Sequence, residues 1–263
     1  MLHTIGLAQV TSTGDPEANL AVLAEYTVRA AAEGARLVVF PEAMMHPFGG
    51  PLAAVAQPLD GPWAEAVRSI AERAGVTVAA GMFAPAADGR VRNTLLVTGG
   101  GVDAHYDKIH VYDAFGHAES DSVEPGDKPL LLEIDGTRIG FAICYDLRFP
   151  ALFQRLAAEG AEVIVVAASW GDGPGKAEQW QLLTRARALD ATAYVVACGQ
   201  ARPAFDTSHT TAPLGVGHSV VVAPDGQVLG ALDAEPGLLT VPIDLDRVAQ
   251  VRRVLPVLAN RRI

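Results

Sequence analysis

The chain has 263 residues, half of them apolar and 19% charged, with a formal net charge of −10 at pH 7. That balance suits a compact globular protein rather than a disordered one, and it argues against nucleic acid or an anionic membrane as partner, since both demand clustered Lys and Arg. No apolar run reaches the roughly 18–20 residues that cross a bilayer, the Met1-Leu2-His3 start lacks a signal-peptide pattern, and two cysteines cannot build a disulfide framework, so a cytoplasmic protein is expected.

Short β-rich runs alternate with helical ones. HTIGLAQV (3–10) reads as a strand, and 15–34 as a helix with Pro16 just inside its start and Gly34 at its end. RLVVF (36–40) is a second strand, closing on Pro41-Glu42. A helix over about 62–74 precedes a strand at about 75–83, and 93–108 holds two strands joined through Gly99-Gly100-Gly101, a hairpin signal. The second half repeats the rhythm. Strands LLLEI (130–134) and RIGFAIC (138–144) flank Asp135-Gly136, and a helix runs from about Pro150 to Glu159. EVIVVAAS (162–169) is a buried strand, 177–191 a helix, and AYVVACG (193–199) another buried strand. A hairpin across Pro224-Asp225-Gly226, a strand LLTVPIDL and a short terminal helix complete the chain.

Continuous apolar strands alternating with helices predict an α/β layered protein whose sheet is buried on both faces. The hairpins mean that this sheet is not purely parallel. With no low-complexity linker and no repeat, one domain over 1–263 is expected. The stretches 109–129 and 200–216 are long for simple connections, and such loops usually cover a functional site.

In open α/β sheets, ligands sit beyond the carboxyl ends of strands. The polar residues expected there are Glu42, Lys108, Cys144 and Ser169. A thiol that attacks, a carboxylate that moves protons and an ammonium that holds an oxyanion form a complete set for acyl transfer. Each has a plainer reading: a packed cysteine, as Cys198 is expected to be, a surface carboxylate, a solvated lysine. Their joint placement favours chemistry. Pro150 sets Cys144 just ahead of a helix N-terminus, whose dipole favours thiolate over thiol, with the Tyr145 N–H facing a developing oxyanion.

Pro41-Glu42-Ala43, Tyr106-Asp107-Lys108-Ile109-His110 and Ile143-Cys144-Tyr145-Asp146-Leu147-Arg148-Phe149-Pro150 resemble, in order, the three catalytic blocks of the nitrilase superfamily of carbon–nitrogen hydrolases. Asn93-Thr94, Gln179-Trp180, Arg185-Ala186-Arg187-Ala188, Gly217-His218-Ser219 and Leu255-Pro256-Val257 look like further signposts of it. The resemblance implies a four-layer α-β-β-α sandwich with no metal or organic cofactor. It makes Glu42 the general base, Lys108 the oxyanion-binding lysine, Cys144 the nucleophile and Glu119 a second glutamate that orients lysine and substrate. The blocks are most similar to the Nit-type, omega-amidase-like branch, acting on a small amide with water, and family members commonly dimerise through helices beside the nucleophile, so a homodimer or higher homo-oligomer is expected. Arg148 is then either a carboxylate anchor or a structural partner of Asp146. Ser169 to Gly175 departs from that branch and is expected to line the pocket with Ser169 and Trp170; Gln179 stands where a histidine is frequent. Nitrile and N-carbamoyl substrates are alternatives on the same site.

Two other chemistries fit less well. Ala167-Ala168-Ser169-Trp170-Gly171 resembles a serine-hydrolase elbow, with Asp190 or Asp206 and His218 following, but alanine stands where the tight turn demands glycine. His105, His110 and His117 lack the spacing of a zinc site. A catalytically silent scaffold of the same fold is the non-enzyme alternative, and the intact Glu–Lys–Cys set argues against it.

Overall fold

A computed structural model of the chain describes residues 4–262 apart from 115, 205–209 and 211. In chain order its elements are β1 (Thr4–Gln9), α1 (Pro16–Ala32), β2 (Leu37–Val39), α2 (Leu52–Val55), α3 (Pro62–Ala74), β3 (Thr77–Pro85), β4 (Val91–Gly99), β5 (Val102–Asp107), β6 (Asp113–Ala114), β7 (His117–Ala118), β8 (Leu131–Ile134), β9 (Thr137–Ile143), α4 (Pro150–Ala158), β10 (Val163–Ala168), α5 (Lys176–Ala191), β11 (Tyr194–Gly199), β12 (Val220–Val222), β13 (Val228–Ala231), β14 (Gly237–Pro242), α6 (Asp246–Val254) and α7 (Val257–Asn260). One-turn 3-10 helices at Glu119–Asp121 and Cys144–Arg148 complete the set.

Local chemistry explains many of these boundaries. The Asp15 carboxylate accepts the Glu17 and Ala18 N–H groups and Pro16 occupies the first turn, so α1 starts where its orphan donors are satisfied. At the β8–β9 turn both Asp135 and Gly136 have positive φ, 49° and 75°. That pair of angles is what a tight two-residue hairpin requires, and Asp-Gly supplies it cheaply.

Among the described residues the strands form two six-stranded sheets, β14-β1-β2-β3-β4-β5 and β13-β12-β11-β10-β9-β8, besides the small β6-β7 pair. Each sheet has a parallel centre, β1-β2-β3 in one and β9-β10-β11 in the other, flanked by antiparallel strands. The period-2 alternation of β2 shows how the layers stack. Leu37 and Val39 join Phe141, Ile143 and Val165 of the second sheet in one core. Val38 and Phe40 point the other way, into Leu23 of α1 and Trp63, Val67 and Ile70 of α3. On the second sheet α4 rests over Gly140, where a Cβ would lie 2.9 Å from the Leu156 side chain. The result is the four-layer α-β-β-α sandwich.

The two sheets are those that the implied sandwich requires, where the residue pattern alone spoke of a single sheet. β14 does not extend the β12–β13 hairpin but crosses to pair antiparallel with β1, Thr4 facing Pro242 through Gln9 facing Gly237. The chain end forms two short helices instead of one, and α2 lies in a stretch to which the sequence reading assigned no element. No described helix is long and apolar enough to cross a membrane.

Candidate active site

Glu42 leaves the end of β2 in a segment that hugs β3. Phe40 N–H donates to Ala79 O (2.8 Å), Gly81 N–H to Pro41 O (3.1 Å) and Met45 N–H to Gly81 O (3.0 Å). The approach is so close that a Cβ on Gly81 would lie 1.5 Å from the Glu42 carbonyl oxygen, which is why a glycine interrupts an apolar strand. Lys108 follows β5, its N–H held by Asn93 O at 2.9 Å. Glu119 begins a 3-10 turn in the 109–129 loop, where Tyr112 N–H donates to its Oε2.

These three side chains, widely separated in sequence, meet in the interior. Lys108 Nζ donates to Glu42 Oε1 at 2.9 Å and to Glu119 Oε1 and Oε2 at 3.1 and 2.9 Å. Glu42 Oε1 also accepts from Asn93 Nδ2 (2.8 Å), and its Oε2 accepts the Ser169 N–H (2.8 Å). All are nearly closed to solvent, Glu42 at 1%, Lys108 at 3% and Glu119 at 5% exposure. Burial alone would lower the Lys108 pKa, but the carboxylates of Glu42 and Glu119 outweigh it and the net shift is upward. The ammonium is therefore charged, and its three N–H donors face three carboxylate oxygens, two of them on Glu119.

Cys144 completes the cluster. It is the first residue past β9, buried, with φ at +45°, in the left-handed region that a side chain with a Cβ adopts only under constraint. The constraint comes from Asp146. Its Oδ2 accepts from Tyr106 Oη (2.7 Å) and Ile143 N–H (2.8 Å), and its Oδ1 from His110 N–H (3.0 Å) with the His110 ring Nδ1 at 2.7 Å. The strand thus delivers the sulfur into a pinned elbow. The surroundings of the sulfur do not favour the expected thiolate. Burial pushes the Cys144 thiol well above its ordinary pKa, the Glu42 carboxylate adds to that, and Lys108 offsets only part. The physical reason is placement: α4 begins at Pro150, with the Cys144–Arg148 turn between its N-terminus and the sulfur. The dipole effect fades within about one helical turn. These surroundings favour a protonated Cys144 thiol beside a carboxylate. The Tyr145 N–H lies in the first turn of that 3-10 helix, among the donors a helix start leaves without an intrahelical partner.

Several expectations are redirected. Arg148 does not pair with Asp146, whose oxygens are taken by Tyr106, His110 and Ile143. Its Nη2 donates to Gln179 Oε1 (2.7 Å) and its guanidinium lies 4.9 Å from the Trp170 ring centre, which also gives the unusual Gln179 a partner. Ser169 is fully buried, its hydroxyl donating to Pro213 O, so it meets the site through its backbone N–H on Glu42 rather than as a side chain facing a ligand. Trp170 is buried against Trp180, its Nε1–H donating to Lys176 O at 3.0 Å. Among the described residues no serine triad forms: the Ser169 hydroxyl donates to Pro213 O and Asp190 pairs with Arg187, while Asp206 lies outside the described residues. His105 sits beside Asp107 and His110 stacks on Phe149, while the His117 side chain lies outside the described residues. Cys198 is packed, 0% exposed, its thiol pushed up to about 12 by burial. Sequence reasoning missed Asn93 as a contact of both glutamates, although a polar residue inside an apolar strand was a signal. It also missed Lys176, whose Nζ lies 5.9 Å from the Tyr112 ring centre.

A family model for carbon–nitrogen hydrolases matches residues 4–253. The chain belongs to the carbon–nitrogen hydrolase family. This hydrolase is 53% identical over 265 residues to a protein of Mycobacterium tuberculosis described as a hydrolase, covering 98% of this chain and 95% of that one. It is 36% identical over 268 residues to the deaminated glutathione amidase of Escherichia coli, covering 100% and 97%. Its fold superposes with a TM-score of 0.78 and 26% identity, covering 97% of this chain and 98% of the other, on a glutamate-to-glutamine variant of an amidase from Nesterenkonia sp. that shows the Michael addition of acrylamide at the active-site cysteine. The chain is an enzyme acting on carbon–nitrogen bonds.

The hydrolase should not tolerate a methyl group at Gly81. Gly81→Ala has to push the Glu42 backbone away, and a displacement near 1 Å costs about 100-fold in rate. Both turnover and melting temperature are expected to fall. Parent-like values would show that Glu42 does not depend on this contact.

Proposed function

We propose that the hydrolase, as a single domain over 1–263, cleaves a small non-peptide amide carrying a carboxylate, omega-amide or deaminated-glutathione-like, through a Cys144 thioester. The observation that carries this reading is the buried Lys108 ammonium shared by Glu42 and Glu119 next to a protonated thiol. Such a thiol needs a base, and Glu42 is the adjacent acceptor. Glu42 takes the Cys144 proton as sulfur bonds to the amide carbon. The oxyanion is held by the Tyr145 N–H and by the Lys108 ammonium, which turns one N–H from the doubly bonded Glu119 towards it. As the tetrahedral adduct collapses, the carbon–nitrogen bond breaks and Glu42 gives its proton to the leaving ammonia or amine. Glu42 then takes a proton from water, the hydroxide bonds to the thioester carbon, the carbon–sulfur bond breaks, and the proton returns to sulfur. The carboxylic acid leaves. Glu119 holds Lys108 in place throughout.

Two cations support an anionic substrate. Arg148 lies over Trp170, and Lys176 lies over Tyr112, whose ring stands edge-on to Tyr145, the residue after the nucleophile. Burial and the nearby Arg148 charge both lower the Lys176 pKa, as expected of two like charges close together. The similarity to a deaminated glutathione amidase points the same way. Ammonia release is measured from monoamides of dicarboxylic acids, neutral amides of equal length, nitriles and N-carbamoyl compounds, with Cys144→Ala as blank. The carboxylated amides are expected to lead the neutral ones in kcat/KM by about 10- to 100-fold, the scale of a charge-assisted hydrogen bond of about 1.5–3 kcal/mol, and Arg148→Ala to narrow that gap. Equal rates on neutral amides would remove the carboxylate from the reading.

Exposed Leu182 and Leu189 on α5, the helix packed beside α4, support a homodimer, and two free buried thiols support a cytoplasmic setting. A monomer by sedimentation at micromolar concentration would exclude the dimer. Export of the tagged protein from its host cell would exclude the compartment.

A further inference from the structure

Asn93 is fully buried on β4, facing Phe83 of β3. Its carbonyl accepts the Lys108 N–H at 2.9 Å, and its Nδ2 donates to Glu42 Oε1 at 2.8 Å and reaches Glu119 Oε1 at 3.4 Å. One residue therefore touches all three charged members of the site. Its own Oδ1 has no partner among the described residues. A buried acceptor left unsatisfied is unfavourable, and an apolar side chain of the same shape would remove the problem. What the asparagine contributes to offset it is the N–H pair aimed at the carboxylates.

We propose that Asn93 is a positioning residue that keeps the Glu42 carboxylate aimed at Cys144 during turnover. The inference rests on the Glu42–Lys108–Cys144 reading above. Glu42 is held by three donors: Asn93 and Lys108 on Oε1, and the Ser169 N–H on Oε2. Lys108 is the one of the three that an oxyanion also claims. As negative charge grows on the substrate oxygen, the ammonium is drawn towards it and its hold on Glu42 weakens. The oxyanion does not claim the donors from Asn93 and Ser169, and the second contact of Asn93 is the longer one to Glu119, so they carry the alignment while the proton moves from sulfur to carboxylate and on to nitrogen. Of these two, only Asn93 acts through a replaceable side chain.

The test uses the full chain with Asn93→Leu, which keeps the branched outline at a larger volume, and Asn93→Ala, the smaller replacement should the leucine not fit. Steady-state kinetics on the best amide of the panel, thermal melting and Cys144 alkylation by iodoacetamide are measured for each. The expected result is a fall in kcat of about 10- to 100-fold, the scale of a small misplacement of a reacting group. KM should stay within about twofold, since Asn93 does not touch substrate. Melting of the leucine variant should be unchanged or raised, and alkylation should proceed at the parental rate or faster. A kcat within twofold of the parent in either variant overturns the proposal. So does a loss of activity that comes with raised KM and lowered melting in both, which marks a scaffold role alone. If Cys144→Ala, run in parallel, still hydrolyses the amide, the reading of the site itself fails. If that variant is dead and the Asn93 variants are parent-like, only the role of Asn93 falls.

Discussion

Glu42→Gln is expected to abolish amide turnover and, at the same time, to let Cys144 ionise at lower pH than in the parent. The two results look opposed, and the site explains why both should appear. Burial is the largest cause of the raised Cys144 pKa, the Glu42 carboxylate adds to it, and the Lys108 ammonium opposes it. Replacing the carboxylate by an amide removes one upward push and leaves Lys108 unopposed by that neighbour, so the shift is downward. The pH profile of alkylation at Cys144 should move to lower pH. Hydrolysis should still vanish, because a thiolate alone can attack but nothing protonates the leaving nitrogen or activates water. General acid–base catalysis is worth about 10²–10⁴-fold, and both halves of the reaction need it here. A glutamate-to-glutamine variant of the Nesterenkonia amidase does carry acrylamide on its active-site cysteine. Alkylation that moves to higher pH, or turnover that persists, would remove Glu42 from the base role.

Lys108→Ala is the second large effect, and it differs from what sequence alone suggests. An oxyanion-binding lysine viewed in isolation is expected to silence the enzyme without unfolding it, at a cost of about 2.7–4 kcal/mol in the barrier. In the structure Lys108 is also the counter-ion between two carboxylates that are 1% and 5% exposed. Removing one partner of a buried ion pair costs about 3–5 kcal/mol, because the remaining charge is left in a poor solvent. That is a large share of the roughly 5–15 kcal/mol by which domains of this kind are stable. The variant should therefore lose both activity and several degrees of melting temperature. A Lys108→Ala, Glu119→Gln double variant removes one stranded charge and should regain part of the stability with none of the activity. Urea unfolding of the four proteins in that cycle measures the coupling. A single variant that melts with the parent would show that the two carboxylates do not need the ammonium.

The particular elements show where sequence reading works and where it stops. The ends of α1 follow from Asp15, Pro16 and Gly34, and the turn at Asp135-Gly136 from the φ angles those residues tolerate. The strand ends bearing Glu42, Lys108 and Cys144 follow from apolar runs that stop at a polar residue. In each case the cause lies within a few residues of the effect. The pairing of β14 with β1 does not, since either sheet edge satisfies a strand of that composition and only the packed sandwich selects one. Asp146 illustrates the same limit. Arg148, two residues away, is its obvious partner in the sequence, yet Tyr106 and His110, brought in by β5 and the loop after it, occupy its oxygens.

The sequence by itself determined the layered α/β class, most element boundaries, the residue types of the site and their positions at strand ends, because turn chemistry and hydrophobic period act over short spans of chain. Tertiary structure decided the charge state of Cys144, the partners of Arg148 and Ser169, and the place of Asn93 between two carboxylates. Those outcomes depend on how deeply a group is buried and which distant charges it faces, and electrostatic energy in a dry interior is set by distances that no local stretch of sequence contains.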